Sequence, residues 1–159
     1  MNEGHSTQQL LLAQRINFSF VIPDRLAGMG MLSPGYSPEC ITLLKDSQIH
    51  TVVNLAGKDD GLGDHFKVLR EDVVDYSTPT VAQIDLIWAA WSELPENSAM
   101  VVHCVAGVGR TGTALACLVG RELKLSASDA IDFVRRARFG SVETRSQEVF
   151  IKHYLQERG

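Results

Sequence analysis

Cys104 and Arg110 are separated by five residues in the run His103-Cys104-Val105-Ala106-Gly107-Val108-Gly109-Arg110-Thr111-Gly112. The spacing suits chemistry at a tetrahedral anion. Gly107 and Gly109 allow backbone torsions and close approaches that side chains would block. The backbone amides of Val105, Ala106, Gly107, Val108, Gly109 and Arg110 can then point inward at one anion, and a following helix adds its positive end. The Arg110 guanidinium can grip two phosphate oxygens at once. The same donors and charges favour thiolate over thiol at Cys104, and the thiolate is the nucleophile. Thr111 can donate a hydroxyl hydrogen bond to that sulfur, most usefully when sulfur becomes the leaving group. His103 is a conceivable metal ligand, but no second ligand stands at metal spacing. No metal and no cofactor is therefore expected.

Attack by a thiolate on a phosphate ester also needs the leaving oxygen protonated. The candidate acids lie in Glu71-Asp72-Val73-Val74-Asp75-Tyr76-Ser77-Thr78-Pro79. That segment ends where Thr80-Val81-Ala82-Gln83 opens a helix with a capping-box pattern. Arg135-Arg136-Ala137-Arg138 is basic within an acidic chain. It either steers anionic substrates or forms a solvated helix end favourable to the dipole. Gln147 reads as a helix-capping residue. Tyr76 and Phe139 are candidates to flank an aromatic ring.

The elements that must position these groups follow from patterning. Met100-Val101-Val102-His103 is a buried strand feeding the Gly-rich turn, and Thr111 to about Leu123 is a helix. Phe18 to Ile22 alternates as a strand ended by Pro23, while Gly28-Met29-Gly30 and Ser33-Pro34-Gly35 punctuate a loop. Ser37-Pro38 caps a helix. Thr51–Leu55 and Phe66–Leu69 are two further strands. The helix from Thr80 buries Ile84, Ile87, Trp88 and Trp91 on one face. Ser126 caps another helix running to Arg138, and Thr144-Arg145-Ser146-Gln147 opens the last by a second capping box. Strands alternating with helices predict an α/β fold with a mostly parallel central sheet and helices on both faces. Ligands of such folds sit at the carboxyl ends of strands, which points to the turn after His103.

The chain has 159 residues, 45% of them hydrophobic and 21% charged, an ordinary globular mix that fits one domain. We expect a loosely ordered segment over 1–16 and a single catalytic domain over 17–159. The net charge of −4 argues against a general nucleic-acid binder. Three cysteines, Cys40, Cys104 and Cys117, make no disulfide framework and suggest a reducing compartment. Cys40 and Cys117 are expected in the core, with oxidation of Cys104 against either as an alternative. No targeting segment or membrane anchor is apparent, so a cytoplasmic monomer is expected.

The chain resembles the small atypical dual-specificity phosphatases of VHZ type, within the cysteine-dependent protein tyrosine phosphatases. The likeness runs from about Asn17 to Tyr154. It is carried by Asn17-Phe18-Ser19-Phe20 through Arg25-Leu26-Ala27-Gly28, by Ala82-Gln83-Ile84-Asp85, by the cradle with Arg110-Thr111-Gly112, and by Gly140-Ser141-Val142-Glu143-Thr144. The resemblance implies a cysteine-phosphatase fold and phosphorylated protein substrates. Turnover would pass through a phosphocysteine on Cys104, with Thr111 assisting sulfur departure and His103 supporting the cradle by hydrogen bonding. It places the general acid at Asp75, with Asp72 the alternative. Val74 and Thr78 stand where many relatives carry proline. Related folds act on phosphoinositides or RNA 5′ ends, but relatives acting on phosphoinositides often carry lysine in the cradle, where this chain has Val105, Ala106 and Val108. A binding module without catalysis would usually lack the cysteine or the arginine, and both are present.

Overall fold

The computed structural model describes residues 4–31 and 35–159. Ser33 and Pro34, where loop punctuation is expected, lie outside the described residues. A five-stranded sheet has the order β1-β2-β5-β3-β4, built from β1 (Ser19–Ile22), β2 (Leu26–Met29), β3 (Ile49–Asn54), β4 (Lys67–Arg70) and β5 (Ala99–His103). Among the described residues the β1–β2 pair alone is antiparallel; β2–β5, β5–β3 and β3–β4 are parallel. Residues of the central strands alternate between two faces, as a pleated strand requires. Leu26, Val53, Met100 and Val102 point into one core, together with α3 (Val81–Ser92), α4 (Gly109–Leu123), α5 (Ala127–Ala137) and α6 (Arg145–Arg158). Ala27, Met29, Val52, Ala99 and Val101 point into the other, beneath α1 (Thr7–Arg15) and α2 (Pro38–Asp46). Both faces are thus covered, and the β5 ladder is buried from Ala99 to His103.

Local signals explain most boundaries. Ser37 caps α2 with Pro38 in its first turn, and Thr80–Gln83 and Thr144–Gln147 form the capping boxes of α3 and α6. Ile84, Ile87 and Trp91 are buried on α3, with Trp88 partly so.

Two expectations are corrected. The segment expected to be loose carries α1, opened by a Ser6–Gln9 capping box. Its short apolar stripe suffices because Ala13 and the following Ile16 dock into the core with Leu43 and Leu44 of α2. Gln9 Nε2 also donates to Asp46 at 2.8 Å. The second correction is at Gly28-Met29, read as loop punctuation, which lies in the buried strand β2. Gly28 is there for space: a Cβ would come within 2.7 Å of the Arg138 guanidinium.

Candidate active site

β5 ends at His103, and the chain then turns through the cradle into α4. The Cys104 side chain is buried, and its sulfur accepts hydrogen bonds from Thr111 Oγ1 at 3.1 Å and the Gly107 amide at 3.3 Å. The N-cap of α4, Val108, offers no side-chain oxygen to the amides of the first turn. Those amides are free to bind an anion, whereas serine or threonine caps the other helices among the described residues. Gly107 has φ +76° and crosses so close to the end of β2 that a Cβ would lie 2.6 Å from the Met29 carbonyl.

Arg110 is 4% exposed and is aimed by the backbone. Its Nη1 donates to the Val73 carbonyl at 2.8 Å and the Leu55 carbonyl at 3.4 Å. Its Nε is buried with no hydrogen-bond partner. Arg110 lines a cavity of about 470 Å³ with Ala56, Gly57, Asp72, Val73, Val74, Asp75 and Val105. A buried guanidinium that lines a cavity and keeps an N–H outside any hydrogen bond has donor capacity left for an anion.

The two candidate acids differ in their partners. Asp75 Oδ1 lies 3.6 Å from Arg110 Nε, on a side chain 59% exposed. Its Oδ1 also accepts from the Tyr76 amide at 2.9 Å, in a turn where Tyr76 adopts φ +63°. Asp72 is instead paired outward with Arg70 at 2.8 Å. The acid-bearing loop is moored at several points. Glu71 and Val73 donate backbone hydrogen bonds to Asn54 and Leu55. Gln83 Nε2 donates to the Asp72 carbonyl at 3.1 Å. Gln147 Nε2 donates to the Ser77 carbonyl at 3.2 Å.

Behind the cradle lies a set of polar supports. His103 is fully buried, with Nε2 2.8 Å from Asp60 Oδ2 and Nδ1 3.3 Å from the Cys104 carbonyl. Asp60 also accepts from the Leu62 amide. Burial works to raise the Asp60 pKa, but the His103 hydrogen bond, the Leu62 amide and the His103 charge hold it below its ordinary value. Tyr36 packs edge-on against His103 and donates its hydroxyl to the Gly30 carbonyl at 2.5 Å. Burial first, then the charges of Asp60, Cys40 and Cys104, push the Tyr36 phenol well up. Asn17 Nδ2 donates to the Ala106 and Gly107 carbonyls at 3.3 and 3.4 Å.

Thr111 is therefore joined to Cys104 and Asp75 to Arg110, with His103 bonded to the Cys104 carbonyl. Cys40 and Cys117 are buried free thiols, and burial pushes the Cys117 thiol up. Gln147 closes the α6 cap and simultaneously ties down the acid loop. Tyr76 and Phe139 are exposed and do not line the cavity. The steering role considered for the 135–138 run is corrected for two of its arginines. Arg138 is buried among backbone carbonyls, and Arg135 donates to the Ser141 and Val142 carbonyls and to Glu148. Exposed Arg136 lies 5.8 Å from the Phe133 ring centroid. Sequence reasoning missed Asp60 and Tyr36, named Asn17 only as the start of the resembling segment, and read Arg138 only as part of a basic run. None stands at diagnostic spacing from Cys104.

The family model for the Swiss Army Knife protein DSP-PTPase phosphatase domain matches residues 15–151, nearly the whole chain. The chain belongs to the DSP-PTPase phosphatase domain family. It is similar to the human dual specificity protein phosphatase CDC14C, with 30% identity over 158 residues, covering 87% of this chain and 34% of that protein. It is also similar to the zebrafish protein tyrosine phosphatase domain-containing protein 1, with 34% identity over 82 residues, 52% of this chain and 12% of that protein. The chain thus spans about a third or less of these curated relatives. Among solved structures, Tk-PTP in its active form superposes with TM-score 0.75 at 27% identity, covering 89% of this chain and 97% of that one. PTPMT1 in complex with PI(5)P superposes with TM-score 0.77 at 16% identity, covering 88% and 95%, a likeness of fold. The comparisons establish the DSP-PTPase family; the finer likeness to the VHZ type rests on the sequence motifs. No helix among the described residues is long and apolar enough to cross a membrane.

Proposed function

We propose that this chain is a metal-independent protein phosphatase acting on phosphotyrosine and on phosphoserine or phosphothreonine monoesters. The observation that carries the reading is the buried Cys104 sulfur, hydrogen-bonded by Thr111 and Gly107, next in the chain to Val105, which lines a cavity with Arg110 and Asp75. The thiolate attacks phosphorus in line, forming the S–P bond as the ester P–O bond breaks. Arg110 and the amides of residues 105–110 hold the equatorial oxygens, where preorganised donors stabilise the transition state most. Asp75 gives its proton to the leaving oxygen. Asp75, now a carboxylate, takes a proton from water, which attacks the phosphocysteine. The P–S bond breaks toward the thiolate, and the Thr111 hydroxyl, 3.1 Å from that sulfur, stabilises the departing charge. Among the described residues that line the 470 Å³ cavity, Arg110 is the one cation, which suits a single phosphate. Phosphorylated proteins in the cytoplasm, met by a monomeric enzyme without cofactor, fit this chemistry.

The test is p-nitrophenyl phosphate hydrolysis in EDTA, with Cys104→Ser alongside. Activity that survives EDTA and vanishes in the variant is expected. Substantial activity in Cys104→Ser, or loss in EDTA, refutes the mechanism. A panel of phosphopeptides, phosphoinositides and 5′-phosphorylated RNA then checks the substrate class, with the peptides expected to be turned over fastest.

A further inference from the structure

A buried cation is ordinarily neutralised by a carboxylate. Arg138 is not. It is 4% exposed and forms no ion pair among the described residues. Its guanidinium is surrounded by neutral acceptors: Nη1 donates to the Asn17 carbonyl at 2.7 Å, Ser19 Oγ at 2.9 Å and the Gly28 carbonyl at 2.8 Å. Nη2 donates to the Gly107 carbonyl at 2.5 Å. Its Nε has no partner. One side chain from the end of α5 thereby joins the start of β1, the middle of β2 and the cradle. Gly28 makes room, since a Cβ there would collide with Arg138 Nε and Cζ at 2.7 and 2.8 Å.

Gly107 is the point at which this clamp meets the site. Its amide points at the Cys104 sulfur, and its carbonyl points the other way, at Arg138. Rotating the flanking peptides would exchange inward amides for inward carbonyls, and carbonyl oxygens repel an anion. A glycine with no Cβ resists such rotation poorly, so the orientation must come from its partners. Asn17 supplies a weaker share, with longer contacts to the Ala106 and Gly107 carbonyls.

We infer that Arg138 is a positioning residue for the anion cradle: its guanidinium fork holds the Gly107 carbonyl turned outward, so that the amides of the turn stay aimed at the bound oxyanion. Burial lowers its own pKa to about 10, while the Cys104 charge works the other way. Arg138 therefore remains a cation at neutral pH and can hold the carbonyls as charge-assisted bonds.

The inference rests on the phosphatase reading for its kinetic readout but not for its binding readout. Arg138→Lys and Arg138→Met are compared with the wild type in thermal melting, in kcat on p-nitrophenyl phosphate, and in affinity for tungstate, a tetrahedral oxyanion. A lysine reaches fewer of the four acceptors than the planar fork. Folded Arg138→Lys should lose kcat and tungstate affinity in parallel, by about fivefold or more, and folded Arg138→Met by about a hundredfold, the scale of a misplaced site. A purely structural role would lower the melting temperature and leave tungstate affinity unchanged in the folded protein. That result, or kcat and affinity both within about twofold of wild type in folded Arg138→Lys, overturns the inference. If Arg138→Met fails to fold, Arg138→Lys decides. Were the wild type to turn over nothing, the phosphatase reading would fail, and tungstate affinity would still decide the role of Arg138.

Discussion

Replacing Gly107 with alanine would place a methyl group where the structure has no space and a torsion that alanine tolerates poorly. The residue sits at φ +76°, and the added carbon would lie 2.6 Å from the Met29 carbonyl carbon and oxygen and 2.7 Å from the Gly30 nitrogen. The left-handed torsion costs about 1–2 kcal/mol. The overlap adds about 1–3 kcal/mol, the usual range for overfilling a packed site. All three opposing atoms are backbone, and β2 is laddered to β5 up to the Met29–His103 pair, so the strand cannot retreat cheaply. The sum is roughly 2–5 kcal/mol, or a fall in Tm of roughly 5–15 °C for a domain of this size. If the cradle yields instead of the strand, part of the stability returns and the loss moves into kcat. Thermal melting and p-nitrophenyl phosphate kinetics on the same preparation capture both routes. Gly61→Ala is the control: it has φ +71° and open space around the missing Cβ, so only the torsional cost of about 1–2 kcal/mol applies. Gly107→Ala with an unchanged Tm and unchanged kcat, or no worse than Gly61→Ala in both, would refute the close-approach argument.

The two candidate acids are separated by leaving group. Asp75→Asn should lower kcat on a phosphotyrosine peptide by about a hundredfold or more, the scale of general acid catalysis, and by less on p-nitrophenyl phosphate, whose alcohol leaves readily. Asp72→Asn, which removes an outward pair with Arg70, should stay within about twofold; the reverse pattern would assign the acid to Asp72. Asp60→Ala strips partners from buried His103 and from the Leu62 amide, and should cost about 2–4 kcal/mol near neutrality. Because the folded Asp60 pKa lies below its ordinary value, its contribution is present above the unfolded value of about 3.9 and is lost as pH falls through the folded one. Tm measured against pH should therefore fall less steeply at acid pH in Asp60→Ala than in wild type. An equally steep acid limb would sink the assignment.

The cysteine–arginine spacing, the intervening glycines, and the serine and threonine caps were legible because each acts through neighbours a few residues away. A turn, a cap or a five-residue gap is complete in the local chain. The mostly parallel sheet was legible for a related reason: short apolar runs between amphipathic helices leave few other ways to bury both faces. The β2 strand was obscured because Gly28 answers to a side chain 110 positions later, at Arg138, and a glycine in isolation reads as a turn. α1 was obscured because its few apolar residues become a docking face only against Leu43 and Leu44.

The sequence by itself determined which atoms could do the chemistry: a sulfur, a guanidinium, a run of amides and two loop carboxylates. Only the tertiary structure decided their partners. It turned Asp75 toward Arg110 and Asp72 toward Arg70. It buried Asp60 against His103, and it drew Arg138 out of a basic helix end to hold the cradle from behind. The physical reason is that a buried polar group must find a partner wherever the fold brings one. Sequence distance sets no limit on which partner that is.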